Sequence, residues 1–347
     1  MMNRRTFAKA MGLAATTTAG LAGTTAGLAA TGEGAYARPA RPGRASTSFA
    51  DVLQIDAGEL NVGYVDLGPR DGQPVILLHG WPYDIHSYAE VAPILADRGY
   101  RALVPYFRGF GTTTFRSPDT FRNAQQSRIA LDITDFMDAL GIDRAVIAGY
   151  DWGSRTGDII AAIWPHRVKA LVSVTGYLIT DREAQRSPIA AASEWAWWYQ
   201  YYFSTERGAK GLADPKIGTD LARLVWRFNS PTWAFDEATF ARTAAAFSNP
   251  DYVDIVLHNY RWRLGLADGA RRYDALERKL AAAPPIAVPT ITIDPAADPF
   301  TPAGDGAGYR AHFTGPYEHR TFAGIGHNVP QEAPTDFVRA VLDADRL

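Results

Sequence analysis

Five consecutive residues, Gly149-Tyr150-Asp151-Trp152-Gly153, restrict the possible folds more than any other part of the chain. They follow the apolar run 144–148 and precede the helical pattern 154–163. A strand that passes directly into a helix must turn sharply there. Side chains at the two glycine positions would collide with backbone. The spacing therefore predicts a strand, a tight turn that lifts the central side chain out of the sheet, and a helix.

The rest of the chain fits that expectation. Residues 51–55 and 61–67 read as a hairpin, 74–78 as a short apolar strand, and 87–97 as an amphipathic helix. Strand 101–105, helix 125–140, strand 144–148, helix 154–163 and strand 168–175 follow. Strands joined by single helices imply a parallel sheet with right-handed crossovers. Residues 180–284 then lose almost all strand signal and become helical and rich in aromatic residues, before strands return at 288–293 and 319–322 and a helix closes at 335–345. This predicts an α/β core in two parts, 49–179 and 285–347, with a helical cap inserted at 180–284.

The first residues have a different character. Asn3-Arg4-Arg5-Thr6-Phe7 resembles a twin-arginine export signal, 11–30 is weakly apolar, and Ala35-Tyr36-Ala37 offers a cleavage site. Residues 1–37 are expected to be a signal peptide read by the twin-arginine export machinery, with a Pro- and Arg-rich linker at 38–48. Export to the periplasm or cell exterior follows. No later run reaches the ~18 apolar residues of a membrane span, so no stable membrane insertion of the mature protein is expected. A formal net charge of −2 without long blocks of one sign points to no nucleic-acid partner. The absence of cysteine rules out disulfides and thiolate chemistry. Neither a cofactor nor a metal is expected.

At Asp151 the residue type sets the chemistry. A carboxylate with a reference pKa of about 4 is ionised at neutral pH and attacks without first losing a proton. It suits displacement at a saturated carbon, as in an epoxide or an alkyl halide. His327, in Gly324-Ile325-Gly326-His327-Asn328, lies just after the last strand and can take a proton from water. Asp298, in Asp294-Pro295-Ala296-Ala297-Asp298, can fix the imidazole tautomer; Asp294 is the rival, and the longer loop favours Asp298. The backbone N–H groups of Trp81, in His79-Gly80-Trp81-Pro82, and of Trp152 can together form an oxyanion hole.

With those residues in view, the chain from about residue 51 onward resembles the epoxide hydrolase and haloalkane dehalogenase branch of the α/β-hydrolases. His79-Gly80-Trp81-Pro82 matches the branch's HGxP motif, and Asp151-Trp152-Gly153 matches its elbow. Arg108-Gly109-Phe110-Gly111-Thr112 is similar to its RGxGxS motif, with Thr for Ser. The resemblance implies a mostly parallel eight-stranded sheet flanked by helices, an inserted cap, and an ester intermediate on Asp151. It further implies two cap tyrosines that grip an epoxide oxygen. Leu257-His258-Asn259-Tyr260-Arg261 is similar to the segment holding one, which places Tyr260 there. Tyr199-Gln200-Tyr201-Tyr202-Phe203 is similar to the other and suggests Tyr199, with the indoles of Trp197 and Trp198 as alternative donors. Plain packing is a competing reading, since Trp195, Trp198, Tyr199 and Tyr202 recur at helical spacing.

His79, Trp197 and Trp198 are expected to contact a small-molecule substrate with an apolar or aromatic body. Haloalkane dehalogenation is the alternative activity, although Trp81 stands where many dehalogenases carry a halide-binding Asn. The elbow of fluoroacetate dehalogenases carries Arg where Trp152 stands; Arg108 and Arg155 are potential carboxylate partners, with a structural role the preferred reading for both. A binding protein without turnover would typically lose a catalytic member, and here nucleophile, base, acid and hole motif are all present.

Overall fold

A computed structural model describes residues 49, 51–300 and 303–347. The expected signal peptide and linker lie outside the described residues.

The sheet grows from short strands that are buried along most of their length at its centre and partly or fully exposed at its edges. In order they are β1 (Leu53–Ala57), β2 (Leu60–Leu67), β3 (Gln73–Leu78), β4 (Tyr100–Pro105), β5 (Thr114–Phe115), β6 (Ala145–Gly149), β7 (Val168–Val174), β8 (Thr290–Pro295) and β9 (Tyr317–Phe322). Eight of them run across the sheet in the order β1-β2-β4-β3-β6-β7-β8-β9. The two-residue β5 is a ninth strand, paired antiparallel with β2 and too short to show in the sequence pattern. β1 and β2 are antiparallel to their neighbours, and the pairs from β4 through β9 are parallel. All five residues of β6 are buried, as expected of a central parallel strand covered on both faces.

The winding places the site. From β3 the chain crosses to β4 on one side, then returns so that β6 lies against the other edge of β3, with Leu78 opposite Gly149. Right-handed crossovers in opposite directions put their helices on opposite faces. Beyond the C-terminal ends of β3 and β6 a crevice must therefore open, which is where ligands bind in such sheets. His79-Gly80-Trp81 leaves one of these ends and Asp151 the other.

Two local departures from the expected elements have simple causes. The helix expected at 87–97 is a 3-10 turn, Ile85–Tyr88, followed by a helix, Val91–Ala96. Asp84 caps the first by accepting from the His86 N–H. Pro93, without an N–H, is tolerated only in the first turn of the second. The strand expected from 288 begins at Thr290, after Pro289.

Between β7 and β8 every regular element is a helix, from Ala184–Arg186 to Asp274–Ala281. The described residues nonetheless form one compact unit. Two indole bonds tie the helices to the turn after β3: Trp81 Nε1 donates to the Tyr252 hydroxyl at 2.8 Å, and Trp226 Nε1 to the Pro82 carbonyl at 2.8 Å. Among the described residues, no helix is long and apolar enough to cross a membrane.

Candidate active site

The elbow has the geometry that its glycines require. Asp151 sits at φ 53°, a left-handed conformation uncommon for a residue with a side chain, and forms the N-terminal boundary of helix Trp152–Ile163. A Cβ on Gly153 would lie 2.0 Å from the Leu78 carbonyl oxygen, and one on Gly149 would lie 2.5 Å from the Gly153 carbonyl carbon. Gly80 is equally constrained, because a Cβ there would stand 2.2 Å from Asp151 Oδ1. The space it leaves lets the Trp81 backbone N–H donate to that oxygen at 2.8 Å. The Trp152 backbone N–H makes no hydrogen bond to the carboxylate; it is one of the donors that a helix start leaves free.

His327 stands on the other side of the carboxylate. Its Nε2 lies 3.4 Å from Asp151 Oδ2, and its Nδ1 lies 2.7 Å from Asp298 Oδ2. Asp294, the rival acid, instead accepts from the Tyr309 hydroxyl at 2.7 Å. The histidine loop is held by a residue that the sequence reading did not single out. Glu332 accepts from the N–H groups of Gly326 (2.7 Å) and Asn328 (3.1 Å), which flank the histidine, and from the Ser230 hydroxyl of the cap (2.6 Å). Asn229 adds its carbonyl to the His327 N–H at 3.1 Å. Phe300 also escaped the sequence reading. Its ring lies 5.3 Å from that of His327 and 6.0 Å from that of Tyr199.

These contacts set the charges. Burial works against an imidazolium, but the Asp298 charge and the contact with Asp151 prevail and raise His327 to about 10. Burial likewise works against an ionised Asp151, and the His327 contact together with the Trp81 N–H holds its carboxyl below the ordinary value. The resting site is therefore an ion pair. Because His327 is raised on folding, its contribution to stability is complete below about 6.5 and is lost as pH rises through about 10. The melting temperature is expected to fall by about 2 °C more between pH 7 and pH 10 in wild type than in His327→Gln, the shift that ~1 kcal/mol gives in a chain of this size. Calorimetry at the two pH values checks it; parallel curves would contradict the ion pair.

Above Asp151 the cap presents aromatic side chains. Tyr260, on helix Tyr252–Arg263, and Tyr199, on helix Trp198–Ser204, are buried with ring centroids 5.4 Å apart. Both rings pack on Trp81, at 5.5 and 5.0 Å. Burial and the Asp151 charge push both hydroxyls well up, so they remain protonated donors. The Trp152 indole Nε1 has no hydrogen-bond partner and lies beside Tyr260, with rings 5.9 Å apart.

Two expectations need correction, at His79 and at the aromatic helix face. His79 does not face the site: its ring is fully buried, Nε2 accepts from the Phe107 N–H at 3.2 Å, and Nδ1 donates to the Gly80 carbonyl at 3.1 Å. It braces the turn that carries Trp81. Trp195, Trp198, Tyr199 and Tyr202 do not form one buried face, since the helix breaks at Trp197 and Trp195 is 71% exposed. Arg108 is structural, with Nε 2.5 Å from Asp132 Oδ2 and Nη2 2.7 Å from Oδ1. Neither of the other two indoles has a ring contact with Tyr260. Trp197 packs near Phe300, at 6.2 Å, and Trp198 lines an apolar cavity of about 370 Å³ with Tyr199, Leu224 and Phe228. Among the described residues, no cluster of three or more His, Asp or Glu is arranged to hold a metal.

Residues 73–330 match the α/β hydrolase fold family. The chain is 56% identical to a solved structure from Klebsiella pneumoniae, provisionally assigned as an epoxide hydrolase. The superposition has a TM-score of 0.84 and covers 88% of this chain and 100% of that one. Epoxide hydrolase A of Mycobacterium tuberculosis is 26% identical over 323 residues, 83% of this chain and 95% of its own length. A haloalkane dehalogenase of Mycobacterium marinum is 34% identical over 142 residues, 41% of this chain and 46% of its own.

Proposed function

Because the chain belongs to the α/β-hydrolase fold family, in its epoxide hydrolase and haloalkane dehalogenase branch, we propose that it hydrolyses epoxides through an ester on Asp151. The observation that carries this reading is the pair of protonated phenols, Tyr199 and Tyr260, packed above the nucleophile. Halide leaves as a stable anion and needs only N–H donors, whereas an opening epoxide leaves an alkoxide that must be protonated.

The steps follow from the contacts. Asp151 Oδ1 is held by the Trp81 N–H, so Oδ2 attacks the epoxide carbon. As that carbon–oxygen bond breaks, a phenol gives its proton to the departing oxygen. Ester formation removes the Asp151 charge that helped to keep His327 protonated, and the imidazolium pKa falls. The proton that His327 then releases balances the one that the phenolate regains. Neutral His327, steadied by Asp298, takes a proton from water, and the resulting hydroxide adds to the Asp151 carbonyl carbon. The Trp81 N–H stabilises the negative charge on Oδ1. Collapse expels the diol oxygen, which takes its proton from His327, and the proton left on the Asp151 carboxyl passes to His327 to restore the resting ion pair.

Substrate screening tests the reading directly: styrene oxide should yield its vicinal diol, and halide release from 1-bromohexane without diol formation from any epoxide would replace it. The unpartnered Trp152 indole N–H, a ready halide donor, supports dehalogenation as the second reading. Tyr260→Phe should slow epoxide opening about 100-fold, within the range of general acid catalysis, with little change in ester hydrolysis. Rapid-quench measurement of the alkylation step checks this, and an unchanged rate would pass the acid role to Tyr199.

The reading includes export by the twin-arginine route, supported by Arg4-Arg5 and the segment that follows. Expressed with its leader in a twin-arginine-competent bacterium, the protein should reach the periplasm or medium with its N-terminus near Arg38. Arg4→Lys with Arg5→Lys should retain it inside, and unaffected export would contradict the route.

A further inference from the structure

Two buried arginines in this site form no close ion pair, although the Asp151 and Asp158 charges reach Arg155 from a distance. Arg155 and Arg263 are each about nine-tenths buried, yet neither forms an ion pair with a described residue, unlike Arg108 and Arg128. Arg155 donates from Nε to the Leu178 carbonyl at 3.1 Å, and among the described residues its two terminal nitrogens have no acceptor. Arg263 Nε is buried without a hydrogen-bond partner. Its guanidinium lies 5.8 Å from the centroid of the Tyr260 ring and 6.0 Å from that of Trp197. The two charges are close enough that burial and Arg263 together lower Arg155 to about 10. Buried charges are ordinarily paired, and an unsatisfied guanidinium carries a large desolvation cost.

The placement of the pair is informative. Arg155 is four residues beyond Asp151 on the elbow helix, and Arg263 three residues beyond Tyr260 on a cap helix. On the cap helix that spacing puts Arg263 on the same face as Tyr260, one turn away, and the Arg155 backbone N–H donates to the Asp151 carbonyl at 3.2 Å, which sets it one turn beyond the nucleophile. One charge thus accompanies the nucleophile and the other the oxygen-gripping phenol. They would meet on the same side of a bound epoxide, a few bonds from the reacting carbon.

The geometry points to an epoxide bearing a carboxylate a few bonds from its ring as the substrate class, with the carboxylate clamped between Arg155 of the core and Arg263 of the cap. This rests on the epoxide reading above. The aromatic wall would take the rest of the molecule. Carboxylate is favoured over a dianionic group because the Asp151 charge already reaches Arg155 and a second charge would double that repulsion.

The test pairs trans-3-phenylglycidate with trans-β-methylstyrene oxide, in which a methyl group replaces the carboxylate. Trans-cinnamate and cinnamyl alcohol serve as unreactive probes in calorimetry. Wild type should open the glycidate with kcat/KM about 100-fold above the neutral epoxide, as sites built to pair a polar group discriminate. Cinnamate should bind at least about 10-fold more tightly than the alcohol, the size of one charge-assisted contact. Arg263→Met should bring both ratios close to one, and Arg155→Met provides the same test should the first variant fail to fold. If the neutral epoxide is opened as well as the glycidate and the alcohol binds as well as cinnamate, the clamp is overturned and the epoxide reading stands. If neither epoxide is opened but cinnamate is preferred, the epoxide reading falls and the anion site stands. Tighter binding of styrylphosphonate than of cinnamate would overturn the choice of carboxylate.

Discussion

Asp151→Ala should lower kcat for epoxide hydrolysis by about 10⁴-fold or more, the scale seen when a covalent nucleophile is removed. No second carboxylate can substitute, since Asp298 is spent on His327 Nδ1 at 2.7 Å. The loss should come without unfolding, because alanine removes a partly buried charge without altering the glycines that shape the turn. It should also leave His327 without one of the two carboxylates that raise its pKa. Imidazole titration by NMR should therefore move to lower pH in the variant, which reports on the ion pair independently of turnover. Activity retained within about tenfold of wild type would point to direct attack by water, with Asp151 as its base.

His327→Gln should separate the two halves of the reaction. Alkylation needs only Asp151 and a phenol, so the variant should react once with an epoxide and then stop. Ester hydrolysis should fall by about 10³-fold, within the range attributed to a positioned general base. Intact mass should then show one substrate mass added per chain, and peptide mapping should place it on Asp151. An adduct heavier than the chain by the whole epoxide supports epoxide opening. One heavier by an alkyl group, formed from a haloalkane with release of halide, supports the second reading. A variant that still turns over at the wild-type rate would remove His327 from the base role.

What the sequence made legible was what short-range spacing determines. The elbow could be read because Gly149 and Gly153 are needed within five residues, and the clashes at both positions explain why. The parallel core could be read because β3, β6 and β7 are mostly apolar runs between helical patterns. Asp298 and His327 stood out because each follows a strand at the same end of the sheet. The errors arose where a role depends on distant partners. His79 looks exposed in a Gly-Pro turn, but its ring is claimed by the Phe107 N–H, 28 residues away. Tyr199 and its Trp neighbours could not be ranked from sequence, since the break at Trp197 decides which side chain turns inward. Glu332 and Arg263 carry no motif, and their roles depend on what the cap brings beside them.

The two N–H groups of Trp81 point into different parts of the molecule, the backbone donor to Asp151 and the indole donor to Tyr252 in the cap. For anyone recombining this scaffold, that residue is a mortise cut for one cap. A lid transplanted from a relative would need a hydroxyl facing the indole, or the graft would leave a buried donor orphaned beside the nucleophile. Cap libraries built on this core should therefore hold position 252 fixed and vary the helix around it.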